Sequence, residues 1–386
     1  MKVTGIKQFR VADPDGIGGY HIVKVETDAG ISGLGEVGIR SWSKSVSAAI
    51  DHLSNLVVGA DPWSTERLWQ EMFRSDFFPA DKVYACAISA IDIALWDIKA
   101  RSVDMPVYKL LGGPVRDRVV CYPHIGGSSV EALVASARDV YEQGWLFARW
   151  HLPSSDPGFP EPGVIEPRES LHIAVETMAA LRDALPNLEI CLDVHTRMDT
   201  THAIRLCQAL EPYKPFFIED PIRSENPGSY RKIAQKVNVP IAAGEQWSSK
   251  WGFRDVVENE WIDYARIDLC IVGGLTEALK ITHWAETHYI DIVPHNPLGP
   301  VSAAACVHLC MASTNVGVQE MPKAPGSFAT SLFPVQIGFK DGHAFAHDAP
   351  GLGVAFDEQV AEAHLLRDDD PFFPRMQRRD GAFTNW

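Results

Sequence analysis

The chain lacks any long apolar run. None of the hydrophobic stretches in its 386 residues approaches the roughly 20 consecutive residues that a membrane-spanning helix requires. The beginning of the sequence also lacks the apolar core of a signal peptide, because Lys2 and Lys7 precede an alternating, strand-like pattern. These two absences predict a soluble protein without a membrane partner, and we expect it in the cytoplasm.

Positive charge is scarce. The chain has 35 Lys and Arg against 50 Asp and Glu, which gives a net charge of −15. An acidic surface of this kind argues against nucleic acid and anionic membranes as partners. It leaves an anionic substrate open, because a metal ion or a local arginine can reverse the field inside one pocket.

Cysteines in a metal-site or disulfide pattern are also missing. The seven cysteines are scattered, odd in number and embedded in apolar runs, and no Cys or His near the Cys306–Cys310 pair completes a zinc-site spacing. We expect them to be small buried hydrophobes in a reducing compartment.

Polar residues instead recur at a regular interval in the second half of the chain. Each one closes a short apolar run and precedes a stretch of helical pattern, and the intervals between them are 23 to 27 residues. A strand, a helix and two loops take about 25 residues, so this period predicts a closed barrel of parallel strands. The strand ends of such a barrel converge on one mouth. The residues are Asp193, Glu219, Glu245, Asp268, His295 and Glu320.

The first three of these acids predict a cation site. Two like charges about 4 Å apart repel by roughly 4 kcal/mol at a surface-like dielectric, so three carboxylates at one mouth need compensation. Carboxylate oxygens with room for water and substrate suit Mg²⁺ better than zinc, with Mn²⁺ as an alternative. Asp193, Glu219 and Glu245 are therefore the candidate ligands of one ion per subunit. The alternative is that each acid is a separate helix cap or surface residue.

The rest of the chain divides around this barrel. Residues 1–116 place strands first and helices after, an α+β pattern, and residues 117–325 hold the barrel. Residues 326–386 lose periodicity, and we expect this charged and aromatic segment to return to the N-terminal unit. The predicted strands include Tyr20–Thr27 and 119–122, and the predicted helices include 44–57, 62–74 and 86–101.

Three loops are candidates for substrate contact. Loops 13–19 and 38–44 are predicted to close over the mouth, with Arg40 and Trp42 touching substrate. The Pro- and Gly-rich stretch 151–167 reads as an insertion at the mouth, where binding loops usually lie. The alternative for loops of this kind is a solvated connection without a binding role.

An ordered set of motifs runs over nearly the whole chain. It comprises GLGE, AIDIALWDIKA, DVHTR, FIEDP, AAGE, GGLTE, PHNPLGP, VQE and PGLGVAFDE. With these motifs the chain resembles the enolase superfamily, in its mandelate racemase subgroup, and within it the D-galactonate dehydratase-like acid-sugar dehydratases. The resemblance implies a (β/α)₇β barrel, covered by a capping domain that both ends of the chain build.

The resemblance also implies a reaction and its residues. The reaction is Mg²⁺-dependent loss of water from a sugar acid, an aldonate such as galactonate, mannonate or gluconate, to leave a 2-keto-3-deoxy acid. The metal ligands map onto the three acids already named, and His295 with Asp268 maps onto the general-base dyad. His195 maps onto the general acid, and Glu320, if protonated, would donate a hydrogen bond to the substrate carboxylate.

The end of the second barrel strand departs from the family pattern. Many relatives carry Lys-x-Lys there, whereas this chain has Arg149-Trp150-His151. Arginine has a pKa above about 12 and cannot act as a base, which weakens a two-base racemase. We expect Arg149 to hold the substrate carboxylate and His151 to contact its hydroxyl groups. The alternative for Arg149 is an ion pair with a neighbouring acid.

Two other functions stay open. A racemase or epimerase of a 2-hydroxy acid would use the same enediolate, with His295 and His151 on opposite faces. A non-catalytic barrel that binds a metal or a sugar would lack one of the polar strand ends, and none is missing. Large α/β enzymes of this kind are usually symmetric assemblies, so we expect a homo-oligomer.

Overall fold

The computed structural model describes residues 1–16, 18–152, 163–366 and 376–384. Most of the predicted insertion at 151–167, one residue of loop 13–19 and part of the charged tail therefore lie outside the described residues. Among the described residues, no helix is both long enough and apolar enough to cross a membrane.

Among the described residues, the N-terminal unit consists of a three-stranded antiparallel sheet followed by four helices. The strands follow the chain in the order β1-β2-β3, and β1 pairs with β2 along its whole length. The strands are β1 (Val3–Ala12), β2 (Gly19–Thr27) and β3 (Ser32–Glu36), and the helices are α1 (Ser43–Val57), α2 (Thr65–Phe73), α3 (Lys82–Ser102) and α4 (Val107–Leu110). Strands come first and helices after, as predicted.

Eight parallel strands and seven intervening helices form the barrel. The strands are β4 (Val119–Tyr122), β5 (Phe147–His151), β6 (Glu189–Asp193), β7 (Phe217–Glu219), β8 (Ile241–Ala243), β9 (Tyr264–Ala265), β10 (Asp291–Ile292) and β11 (Gln319–Glu320). The helices are α5 (Val130–Glu142), α6 (Pro167–Ala184), α7 (Thr200–Leu210), α8 (Tyr230–Ala234), α9 (Lys250–Glu258), α10 (Gly274–Glu286) and α11 (Pro300–Ala312).

The strands close into a ring in chain order. Strands β5 to β10 form one continuous parallel sheet, and β11 pairs in parallel with β4. Single bridges close the two remaining gaps, from His124 to Arg149 and from Ile292 to Val316. The (β/α)₇β barrel that the repeat and the motifs predicted is confirmed.

The last segment of the chain contacts both units. It contains β12 (Gly338–Lys340), β13 (His343–Phe345), α12 (Glu358–Ala363), β14 (Met376–Gln377) and β15 (Phe383–Thr384). Strand β13 pairs with β4 of the barrel, and the backbone N–H of Leu366 donates to the carbonyl of Arg10 in β1. The backbone N–H of Gln377 donates to the carbonyl of Gly163, so this described part of the tail contacts the segment before α6 of the barrel.

The barrel interior has an apolar layer beneath its polar mouth. Six buried side chains fill it: Tyr122, Cys191, Phe217, Ala242, Val293 and Val318. All six lie on barrel strands or directly next to them, at positions that point inward, because strand side chains alternate between the two faces. All seven cysteines are buried free thiols, as predicted.

Buried carboxylates join the N-terminal unit to the barrel. Glu36, at the end of β3, accepts hydrogen bonds from the backbone N–H groups of Gly299 at 2.7 Å and Ser302 at 3.0 Å. It thereby holds the loop that follows His295. Asp92 of α3 accepts from the Thr276 backbone N–H at 2.9 Å and from its hydroxyl at 2.5 Å.

The close approach of β3 to α3 requires glycine in the GLGE motif. A Cβ on Gly35 would overlap the backbone carbonyl of Ala90 in α3. We expect G35A to lower the free energy of unfolding by about 1–3 kcal/mol, because neither backbone can move without disturbing the sheet or the helix. Urea unfolding would measure the effect. A G5A control, whose Cβ meets only a carboxylate oxygen of Glu26 at 4.0 Å, should stay near wild type.

Asp92 makes stability depend on pH. Burial raises its pKa from the ordinary 3.8 to about 7, so the folded protein binds this proton more tightly than the unfolded chain. The stabilisation is complete below pH 3.8 and is lost as the pH rises to about 7. We expect D92N to flatten that part of the stability profile, measured by urea unfolding between pH 4 and 8. D117N, at an 86% exposed side chain, should leave the profile unchanged.

Candidate active site

All eight barrel strands bring polar side chains to one mouth. Parallel register aligns their C-terminal ends, and β6 and β7 place Asp193 directly opposite Glu219. The residues at the mouth are His124, Arg149, His151, Asp193, His195, Glu219, Asp220, Glu245, Arg266, Asp268, His295 and Glu320. All nine polar barrel residues predicted from the sequence therefore lie here, with three more that sequence reasoning did not single out.

His295 and Asp268 form a pair. Nδ1 of His295 lies 2.7 Å from Oδ2 of Asp268, whose Oδ1 accepts the backbone N–H of Cys270 at 2.7 Å. The carboxylate therefore orients the imidazole and leaves Nε2 toward the mouth, 3.3 Å from Oε2 of Glu245. Burial alone would lower the pKa of His295, but the carboxylates of Glu245, Glu320 and Asp268 raise it to about 9. A cation bound to these acids would lower it again.

Three carboxylates lie close enough to share one cation. Glu219, Asp220 and Glu245 each offer an oxygen, and these atoms lie within 4.8 Å of one another. Within the described residues, each of the three also has one buried oxygen without a hydrogen-bond partner. Burial, with Asp220 and Glu219 nearby, raises the pKa of Glu245 to about 8. Crowded, unsatisfied acids of this kind fit a hard divalent ion that takes oxygen ligands.

Asp193 lies beside these acids, but its carboxylate points elsewhere. It forms an ion pair with Arg149, and its Oδ2 lies 2.8 Å from Nε2 of His195. Its Oδ1 accepts the backbone N–H of His195 at 2.6 Å. The trio of acids that the structure draws together thus contains Asp220, whereas the sequence predicted Asp193.

The position of His195 has a different cause from the one predicted. Strand alternation placed it on the same side as Asp193, but β6 ends at Asp193 and the chain then turns. His195 and Thr196 have φ values of 53° and 60°, and this left-handed turn folds the imidazole back onto the Asp193 carboxylate. The turn is held by the backbone N–H of Thr196, which donates to the carbonyl of Asp220 at 2.7 Å.

The C-terminal end of the second barrel strand, β5, carries a cationic arginine, Arg149, and a neutral histidine, His151. Arg149 is buried, and its Nε lies 3.7 Å from Oε2 of Glu219 in addition to its pair with Asp193. Arg149 therefore forms ion pairs with neighbouring acids in this structure, which was the alternative stated for this residue. Burial and Arg149 lower the pKa of His151 to about 3 and that of His195 to about 3. The two rings lie 5.7 Å apart.

Glu320 is ionised, which corrects the prediction that it donates a hydrogen bond. Its Oε2 accepts from Arg266 at 2.6 Å and from the backbone N–H of Asn296 at 2.8 Å. Its Oε1 lies 2.6 Å from Nε2 of His124. Burial raises the pKa of Glu320, but Arg266, His295 and His124 hold it well below the ordinary value. A carboxylate in this state accepts hydrogen bonds and cannot donate one.

Arg266, His124 and Asp220 are the residues that sequence reasoning missed. Arg266 is fully buried, and its Nε donates to Oε1 of Glu219 at 2.6 Å. It thus bridges the acids of β7 and β11, and its Nη1 also donates to the carbonyl of Val293 at 2.9 Å. The signal was available, because Arg266 interrupts an apolar run two residues before Asp268 and His124 follows β4 by two residues.

Of the two predicted lid residues, Arg40 contacts a segment next to the mouth. Nη2 of Arg40 donates to the carbonyl of Pro297 at 2.7 Å, so this loop contacts the segment after His295. Trp42 is 48% exposed. The other loop is attached to the C-terminal segment, because Asp15 accepts the backbone N–H of Ser331 at 2.7 Å.

Comparison with known proteins gives consistent relatives. An enolase C-terminal domain-like family matches residues 132–360, and the N-terminal domain family of mandelate racemase and muconate lactonizing enzyme matches residues 17–112. D-galactonate dehydratases from Pectobacterium atrosepticum and Ralstonia nicotianae are each 34% identical over 393 residues, with 100% of both chains covered.

Solved structures agree in fold over the whole chain. An enolase from Pantoea ananatis with bound D-gluconate and Mg has a TM-score of 0.93 at 29% identity, covering 100% of this chain and 99% of that one. An enolase from Agrobacterium radiobacter with bound Na and L-malate has a TM-score of 0.90 at 28% identity, covering 100% of both. The chain therefore belongs to the enolase superfamily, with the N- and C-terminal domains of its mandelate racemase and muconate lactonizing enzyme branch.

Proposed function

We propose that this protein is a Mg²⁺-dependent hydro-lyase that dehydrates a sugar acid to a 2-keto-3-deoxy acid. The substrate class is an aldonate such as galactonate, mannonate or gluconate. The observation that carries the proposal is the His295–Asp268 pair facing a cluster of buried carboxylates at one barrel mouth. The names of the D-galactonate dehydratase relatives and the gluconate and Mg of the Pantoea structure support it.

Glu219 and Glu245 are two of the proposed metal ligands. The third is Asp193, whose Cα is the register partner of Glu219, and this requires Arg149 to release its carboxylate. Asp220 is the rival third ligand, because it already lies within the 4.8 Å cluster. When bound, a divalent ion supplies positive charge that stabilises the enediolate of the substrate carboxylate.

His295 is the proposed base. Its Nε2 takes the proton from C2, and the electrons of the C–H bond move into the carboxylate as an enediolate. Asp268 holds the imidazole in the tautomer that leaves Nε2 free to accept, and it stabilises the imidazolium that forms. A positioned base of this type contributes about 10²–10⁴-fold to rate.

His195 is the proposed acid at C3. As the C3–O bond breaks, the electrons of the enediolate form the C2–C3 double bond and hydroxide leaves with a proton from the ring as water. The resulting enol becomes the 2-keto acid. Burial and Arg149 lower the pKa of His195. The negative charge of a bound substrate would raise that pKa and favour the protonated ring that the acid role requires.

Arg149 is the proposed partner of the substrate carboxylate. Arg149 is buried at the mouth. A bound substrate carboxylate would replace the Asp193 carboxylate as the ion-pair partner of Arg149. His151, next to the His195 ring, is placed to contact substrate hydroxyl groups as a neutral imidazole. Arg40 and Trp42 are proposed to contact the distal end of the substrate from the edge of the mouth.

The test is a panel of aldonic and aldaric acids with Mg²⁺, assayed for 2-keto acid formation. Turnover of at least one acid, lost with chelator and restored by Mg²⁺, supports the proposal. Solvent deuterium at C2 without keto acid would instead indicate a racemase or epimerase. Metal binding without turnover of any acid sugar would indicate a binding protein.

The variant H195N separates abstraction of the C2 proton from loss of the C3 hydroxyl group. H195N is expected to retain exchange of the C2 proton with solvent deuterium while 2-keto acid formation falls, because the base remains and the acid is gone.

Titration calorimetry with Mg²⁺ tests which residue is the third metal ligand. D193N and D220N should differ in Mg²⁺ affinity, with the larger loss of affinity at the true ligand. Equal affinity in both variants and wild type would reject both as ligands.

A further inference from the structure

His295, the proposed base, lies in the loop of residues 293–299, which joins β10 to α11. The barrel holds the first part of this loop. The backbone N–H of His295 donates to the carbonyl of Ile267 at 3.0 Å, and the backbone N–H of Asn296 donates to Oε2 of Glu320 at 2.8 Å. These contacts fix the backbone at the beginning of the loop, and a different part of the chain holds its end.

The N-terminal unit holds the end of the loop through Glu36, the last residue of β3. Glu36 is 1% exposed, and its carboxylate accepts the backbone N–H groups of Gly299 at 2.7 Å and Ser302 at 3.0 Å. Arg40 of the same unit donates to the carbonyl of Pro297 at 2.7 Å. The loop that carries the proposed base is therefore held by barrel strands at its beginning and by the N-terminal unit at its end.

Glu36 supplies the N-terminal cap that α11 does not provide for itself. Gly299, directly before α11, has no side chain that could accept a hydrogen bond, and Pro300 has no N–H. A side-chain oxygen next to a helix N-terminus usually accepts an N–H of the first turn, and the helix dipole favours a negative charge there. The contact requires glycine at 299, because a Cβ would lie 2.6 Å from Oε1 of Glu36 and 2.7 Å from the Tyr20 ring.

The backbone that carries Glu36 is itself packed in place. Glu36 is the register partner of Ile22 in the β2–β3 pair, and Gly35 lies against the backbone carbonyl of Ala90 in α3. The carboxylate therefore extends from a fixed sheet to the loop of the base. The length of the side chain matters, because an aspartate is shorter by one C–C bond, about 1.5 Å. It could reach the same N–H groups only if the loop or the strand moved.

We propose that Glu36 is a positioning residue for His295, which holds the loop so that Nε2 of the imidazole stays where it can take the C2 proton. This rests on the proposed function, in which His295 is the base. The carboxylate of Glu36 bonds to backbone N–H groups at the end of the loop, so its effect on the reaction passes through the loop. A displacement of about 1 Å at a reacting group can lower the rate by about 10²-fold.

Steady-state kinetics of E36D and E36Q, with an acid sugar that the wild type dehydrates, test the role in catalysis. We expect E36D to lower kcat and the rate of C2 proton exchange by about 10²-fold. KM and the Mg²⁺ affinity should stay near wild type, because the substrate and metal contacts remain. E36Q keeps the length and one acceptor oxygen, so it should retain more activity than E36D.

The control is D357N. The carboxylate of Asp357 also accepts two backbone N–H groups at a helix start, those of Gln359 at 2.9 Å and Val360 at 3.0 Å, but it belongs to α12 of the C-terminal segment. D357N should therefore keep wild-type kcat and KM. Circular dichroism confirms that each variant is folded, and E36Q carries the test should E36D fail to fold.

Crystal structures of wild type and E36D give a readout that does not need turnover. With the barrel strands superposed, we expect the His295 ring of E36D to be displaced by about 1 Å. A wild-type rate in E36D, a loss confined to KM, or a His295 ring in the wild-type position would each overturn the proposal. If the wild type dehydrated no acid sugar, the proposed function would fail, and the crystal comparison would still decide whether Glu36 positions His295.

Discussion

Replacing His295 by asparagine is expected to slow dehydration severely without unfolding the protein. The side chain loses its proton acceptor while the amide keeps a hydrogen bond to Asp268, which lies 2.7 Å from Nδ1. We expect kcat/KM to fall by about 10²–10⁴-fold, the usual contribution of a positioned base. Exchange of the C2 proton with solvent should be lost as well, which distinguishes H295N from H195N.

Two control measurements keep this result interpretable. H283N, at an exposed histidine of α10, should retain full activity. The Mg²⁺ affinity of H295N measured by calorimetry should equal or exceed that of wild type, because the ring is not a proposed ligand and its positive charge beside Glu245 is removed. If H295N kept wild-type turnover with normal folding, His295 would not be the base and the proposed mechanism would fail.

Replacing Arg266 by methionine is expected to give the largest loss of stability. The guanidinium is fully buried and pairs with both Glu219 and Glu320 at 2.6 Å. Removing it leaves two carboxylates in the barrel without their counter-ion, and breaking a buried pair in this way costs about 3–5 kcal/mol. Urea unfolding measures the change, with metal chelated throughout.

The double variant and a surface control isolate the cause. R266M/E320Q should recover part of the lost stability, because one of the two stranded charges is removed. R67M, which breaks the exposed pair with Glu71, should cost less than about 1 kcal/mol. A loss at R266M similar to that at R67M would show that the bridge contributes little.

Local periodicity was enough to predict the barrel and most of its mouth. Each acid or histidine that closes an apolar run sits at a strand end because parallel strands share one direction. The pairing of Asp268 with His295 was implied by the family resemblance, and it fits the barrel because β9 and β10 are neighbours in the chain and in the sheet. Metal ligation stays a prediction.

The charge state of the mouth could not be predicted in the same way. A donor role for Glu320 required a protonated side chain, but Arg266 and His124 arrive from strands that are remote in the sequence and favour the ionised form. Arg266 lies inside an apolar run, where a long cationic side chain gives no sign of the carboxylates that it will meet. Burial and pairing set its role, and both depend on strands that close the ring.

The sequence by itself determined the barrel, the order of its strands and which residue types stand at the mouth. These follow from periods of hydrophobicity and from short-range chain direction, which act within about 25 residues. Tertiary structure alone decided which carboxylate each arginine neutralises, where the Asp193 side chain points, and how Glu36 of the N-terminal unit comes to cap a helix of the barrel. Those outcomes depend on electrostatics and packing between segments that meet only after folding.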